Sequence, residues 1–384
     1  MATSAPLNRP FEPGSIPWYI WLSALGVASA MIGVHWDISW HRSIGRDTFW
    51  TPAHLAIQLC GVIAGITCGY LILATTFTKS ALRASSVNVL GFRGPLGAFI
   101  CAWGGFTMIT SAPFDDWWHN AYGLDVKILS PPHIVLALGV AGVQVGALVL
   151  IGAMMNRATG AVRRNLELLF FFICSMIAVM FMTLTLELTH RVLLHDPIAY
   201  RAVALFIPAV LAIAARSTGR KWAATIVAGF YTIFLLGMTW ILPLFPAQPK
   251  LGPVFNPVTA FMPNGFPLLL IVPAIALDLL WPRLSKLPVW QQAVIGGTVF
   301  LAIYWAVEWP FADFLQSPAA RNRIFGSQYE AYMQDPKGYS LTYRFVPALP
   351  AAQFAGGMVI AFISSILSMW VGIGTGNWLK RVRR

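Results

Sequence analysis

The stretch HWDISWHRSIGRDTFWTPAH, residues 35–54, decides how this chain folds. It packs three histidines, two aspartates and two arginines between two apolar runs, near 17–36 and 52–77. Each run has the length of a bilayer-crossing helix, about 17–25 residues. The stretch therefore reads as the turn of a transmembrane hairpin, with its polar side chains gathered at the membrane edge. An Asp at membrane depth costs on the order of 2.5–3.5 kcal/mol on insertion scales, so such residues are functional by default.

Further apolar runs lie near 94–114, 132–155, 168–188, 201–215, 222–245, 265–281, 288–309 and 351–377. The expected fold is thus all-α, a polytopic integral membrane bundle of about ten transmembrane helices. Composition agrees: of 384 residues, 57% are hydrophobic and only 10% charged, against about 25% charged in soluble domains. The 16 Trp and 25 Phe suit aromatic belts at the lipid interfaces. The connection 310–350 is polar enough to lie outside the bilayer. Cys60, Cys68, Cys101 and Cys174 fall inside apolar runs and read as small core residues.

Basic residues give the orientation. Arg9 and the clusters after the even-numbered runs, such as Lys79, Arg83 and Arg93 or Arg157, Arg163 and Arg164, hold 16 of the 26 Lys and Arg. Those ends and both termini are expected to be cytoplasmic. The net charge of +12 reflects this rim, and no basic, aromatic-interleaved surface for nucleic acid is present. All seven histidines and eleven of the 14 acids fall at the opposite, extracytoplasmic ends. The expected location is a bacterial inner membrane.

The opening motif recurs. DISWHRSIGRDTFWTPAH (37–54) lies over DDWWHNAYGLDVKILSPPH (115–133), giving D-x3-H-x12-H and D-x3-H-x13-H. Asp and His four apart share one helical face. The second His opens the returning helix, after Pro52 or after Pro131 and Pro132, where the missing N–H costs nothing. Asp37, His41 and His54 should therefore converge, and so should Asp115, His119 and His133. A carboxylate with two imidazoles and open positions suits copper, iron or zinc. The structural alternative is a pair of helix-capping hairpins without metal; two copies in matching order favour the metal sites.

At these residues the chain resembles the C subunit of the copper membrane monooxygenases, the particulate methane and ammonia monooxygenase family. That subunit carries Asp-x3-His-x12-His within a WH…RDT…TP-x-H context, matched here by WHRSIGRDTFWTPAH. Its second site, Asn-x3-His-x13-His, matches in spacing, with His119 and His133 in the imidazole positions and Asp115 replacing Asn. The resemblance covers about residues 15–155, a four-helix region bearing both motifs. Residues 156–384 supply further helices without a counterpart, and the cupredoxin domain of a companion subunit in that family is missing here. The resemblance implies copper, O2, an electron donor such as quinol or an external protein, and a trimer or further subunits.

Other polar positions extend the picture. Glu187 and His190, three apart, are expected on the fifth helix as a metal pair or proton relay. His35, Arg46, Asp47 and Asp125 are candidates to support the ligands, since metal-bound His usually gives its other N–H to a carboxylate or carbonyl. Asp116 is an alternative ligand in the second copy, and Glu308 reads as interfacial. NPVTAFMPNGFP (256–267) is expected to form a structured turn, a candidate lid, with Met262 in a packing role. The function expected is copper-dependent, O2-dependent hydroxylation of a small apolar substrate arriving through lipid. The rivals are a non-catalytic copper-handling membrane protein and a zinc-dependent membrane hydrolase.

Overall fold

The computed structural model describes residues 14–45, 50–122, 130–250, 258–327 and 349–383. They form α1 Trp18–Ser43, α2 Pro52–Phe77, α3 Leu96–Tyr122, α4 Pro131–Met155, α5 Gly160–Leu184, α6 Pro197–Thr218, α7 Ala223–Ile241, α8 Ile271–Leu284, α9 Val289–Gln316 and α10 Ala351–Leu379. Among the described residues, nine of these helices are long and apolar enough to cross a membrane, and the chain is an integral membrane protein. A short β-hairpin, Val87–Val89 with Phe92–Gly94, follows α2.

Helix pairs stack in chain order at first: α1 packs on α2, α2 on α3 and α3 on α4, while α1 also reaches α4 and α5. Farther along, α10 inserts between α6 and α9. One continuous core runs from Tyr19 to Leu379. Helices in lipid approach closely where side chains are small, and two glycines show this. A Cβ on Gly33 would meet Ile57 N at 2.7 Å, and one on Gly104 would meet Val143 N at 2.5 Å. Gly33 thus sets the α1–α2 spacing and Gly104 the α3–α4 spacing, in the two hairpins that carry the motifs.

The eighth apolar run departs from expectation. It was expected to be helical from about 265, but the chain stays non-helical from 258 to 270 and only then forms the 14-residue α8. Pro263, Pro267 and Gly265, at φ +127°, break the helix. Irregular backbone needs protein partners where water is scarce, and here Glu308 Oε2 accepts the Leu269 N–H at 2.9 Å. Glu308, read as interfacial at the end of the ninth helix, lies two turns before the end of α9 and is 0% exposed, packed within protein. Asp278 does similar work at α7, accepting Thr225 N–H at 2.7 Å and Ala224 N–H at 3.3 Å.

The basic helix ends gather at one end of the bundle. Asn156 donates to Leu379 O and Val382 O, Arg216 to Asn377, and Arg163 and Arg220 both pair with Glu167. The motifs occupy the other end.

Candidate metal centre

Each motif is built from the end of one helix and the first turn of the next. Asp37 and His41 lie four apart on α1, with His41 Nε2 3.7 Å from Asp37 Oδ2. His54 Nε2 approaches Asp37 Oδ1 at 3.1 Å from the returning α2. In the second hairpin, His119 Nε2 of α3 and His133 Nε2 of α4 lie 3.4 and 3.6 Å from Asp115 Oδ1. Both expected triads therefore converge, and in each set the ligand atoms lie within 4.8 Å of one another.

The entry to the second helix repeats as closely as the ligands do. Thr51 accepts the His54 N–H at 3.4 Å, and Ser130 accepts the His133 N–H at 3.4 Å. Pro52 and Pro131 follow these caps at the first helical position. The cap hydrogen bond thus falls on the backbone of the candidate ligand itself. The sequence signal is Ser or Thr before Pro, three residues ahead of a His, a standard N-cap pattern.

Do these residues fit a metal? Ligand atoms held about 2.0–2.1 Å from one tetrahedral ion lie roughly 3.3 Å apart, close to the 3.1–3.7 Å seen here. Asp37 Oδ1 and Asp115 Oδ1 are shielded from solvent and receive no hydrogen bond of ordinary geometry among the described residues. A buried carboxylate oxygen facing imidazole nitrogens alone is costly unless a cation joins them. The residues fit. Copper, iron and zinc share this donor set.

Both triads open on a single chamber of about 530 Å³. Asp37, His41, His54, Asp115 and His133 line it; His119 completes its triad from outside the lining. The walls below the ligands are apolar: Val34 and Ile57 under the first site, Leu136 and Val140 under the second, Met180 from α5. Val140 follows His133 by seven residues, so the apolar wall reaches about 10 Å deeper than the ligands. Arg42, Gln58, Ser111 and Asn264 add polar groups.

Glu187 and His190 also line the chamber, but not from a helix. The fifth helix ends at Leu184, three residues earlier than Glu187, and both residues sit in the turns beyond it. The expected shared helical face is absent. His35 points away from both triads: Nδ1 lies 3.0 Å from Met31 O and Nε2 3.4 Å from Thr183 Oγ1. Asp116 is exposed and turned toward Asn120, outside the second triad. Arg46, Asp47 and Asp125 lie outside the described residues.

The segment 258–267 straps across the end of α1. Ser43 Oγ accepts Met262 N–H, Arg42 donates to Pro263 O at 2.7 Å, and Asn264 donates to His35 O at 3.0 Å. Asn264 thereby enters the chamber wall, and Met262 is buried among packing residues. Comparison with protein-family models, curated proteins and solved structures gave no match. Any functional conclusion must come from the chemistry of the site.

Proposed function

We propose that this chain is a metal-dependent membrane oxidoreductase of the copper-monooxygenase kind, inserting one oxygen of O2 into a small apolar substrate. The observation that supports it most is the joint opening of two Asp-His-His sites onto one largely apolar chamber. A hydrolase would use only the polar part of this lining, whereas the deep apolar wall of Ile57, Leu136, Val140 and Met180 suits a small apolar substrate. A metal carrier would need ligands along a path through the bundle, whereas both groups of metal-holding type among the described residues lie at one end.

Asp37, His41 and His54 would hold one metal, and Asp115, His119 and His133 the other. Copper bound there would supply the redox couple that O2 reduction requires. The protein's own part is structural and electrostatic. Ile57, Leu136, Val140 and Met180 bind the substrate by burying apolar surface. The two carboxylates offset the positive charge of the metals. Quinol or an external protein would donate electrons, and the substrate would enter from lipid. By the charge of the basic helix ends, the termini face the cytoplasm and the motifs face outward, in a bacterial inner membrane. A trimer, or further subunits, completes the proposal.

The test is oxidation under labelled dioxygen, using protein in native lipid with a quinol donor and a series of small hydrocarbons. Label in a hydroxylated product, lost in His54→Ala and in His133→Ala, is the expected result. Product carrying label from water instead would replace oxidation with hydrolysis.

A further inference from the structure

Insertion of one oxygen has a demand the chamber does not meet by itself. The balance is RH + O2 + 2 e⁻ + 2 H⁺ → ROH + H2O, with electrons from the external donor, so two protons must reach the ligands while an apolar substrate occupies the chamber. When substrate fills the chamber, they need a second way in. The inference that follows rests on the oxidative function proposed above.

A second cavity of about 70 Å³ lies directly behind the chamber. Thr183, Leu186, His190 and Asn264 line both, so they form the partition between them. The small cavity, mostly apolar like the chamber, has His35, Thr189 and the Tyr231 ring in its walls beside the shared Thr183, His190 and Asn264. It has room for about two waters with several polar partners. Leu268 closes its far side, and the next residue, Leu269, is the one whose N–H is held by Glu308.

Glu308 is fully buried, and only Oε2 is used, on the Leu269 N–H. Its Oε1 has no hydrogen-bond partner among the described residues, and neither does the buried Tyr304 hydroxyl one turn away. One backbone N–H needs one acceptor, and Asn, Ser or Thr supplies it at far lower desolvation cost than a carboxylate. That bond alone does not explain a Glu here. The Tyr231 hydroxyl, in the wall of the small cavity, bonds the Leu268 backbone, next to the Leu269 N–H that Glu308 holds. The Tyr200 ring lies 5.6 Å from that of Tyr304, and the His195 ring lies 4.7 Å from that of Trp309, the neighbour of Glu308. Asp313 is 63% exposed and sits 3.1 Å from His195 Nε2, which completes a line of polar groups from solvent inward.

We propose that Glu308 is a proton-relay residue, feeding the chamber through Tyr231 and the small cavity, with the Asp313–His195 pair as its outer end. The carboxyl gives a proton inward by way of the Tyr231 hydroxyl and cavity water to the Thr183 partition, and regains one from the outer pair. Charge stays balanced because each inward transfer is matched by one uptake.

Infrared difference spectra in H2O and D2O follow this carboxyl directly in the metal-loaded protein in native lipid, with Glu308→Gln identifying its band. Gln keeps an oxygen to accept the Leu269 N–H, so the variant retains that hydrogen bond. A deuterium-sensitive band that exchanges in the folded wild type, slowed about tenfold or more by Tyr231→Phe or Thr183→Val, is expected. Turnover of Glu308→Gln should fall about 10²-fold at unchanged metal content. The assignment is overturned if no such band is lost in Glu308→Gln, if exchange is equal in all the proteins, or if Glu308→Gln turns over like wild type. Exchange is read without turnover. A wild type that exchanges as expected yet forms no labelled product would overturn the oxidative function and leave the path itself standing.

Discussion

Thr51 and Ser130 tie local helix chemistry to the candidate ligands. Each cap holds the N–H of the histidine that completes its triad, so losing the cap frees the residue that must stay still. Thr51→Ala should cost about 1 kcal/mol of stability and weaken metal binding at the first site, whereas Thr51→Ser should restore both. Thermal unfolding and metal titration of the two variants check this; equal metal affinity in Thr51→Ala would separate the cap from the site. The six ligands themselves were legible because a helix puts residues four apart on one face. Glu187 and His190 depart from expectation at the same point. Their spacing suits a helix, but α5 ends first, in the Thr185–Leu188 turns, and no Pro or Gly marks that end.

At the scale of elements, close helix contact sets the distance from Asp37 to His54. Gly33 stands one turn below Asp37 and faces the backbone of Ala53 and Ile57. Gly33→Val should force the hairpin apart at a cost of about 1–3 kcal/mol. It should empty the first site while the second, spaced by Gly104, keeps its metal. Separate metal occupancies of the two sites in this variant decide it, and equal loss from both would contradict independent hairpins. Nine of the ten expected spans were readable from apolar length alone. The break before α8 was signalled by Pro263, Gly265 and Pro267, yet the same residues also read as an ordinary loop. What the sequence could not reveal is that Glu308, 39 residues farther on, satisfies that break. Burial of Glu308 is a property of packing among distant segments, and apolar periodicity carries no trace of it.

Across the whole molecule, chemistry is segregated by end. The basic ends of α4, α5, α6 and α10 gather at one, and both triads, the chamber and the 258–267 strap with Arg42 gather at the other. Because protons compete with metal for imidazole and carboxylate atoms, loading should fall as pH is lowered and recover when it is raised. Equilibrium dialysis against a buffered metal across that range checks the sign, and loading that rises toward acid would contradict ligation by these groups. The most direct test of the paired centre is metal content, by mass spectrometry on protein purified in native lipid. Wild type is compared with His41→Ala and His133→Ala. Two metals per chain, with each variant losing one and keeping the other, is the predicted result. A wild type without metal, or variants that both match it, would contradict the paired centre and leave two structural hairpins.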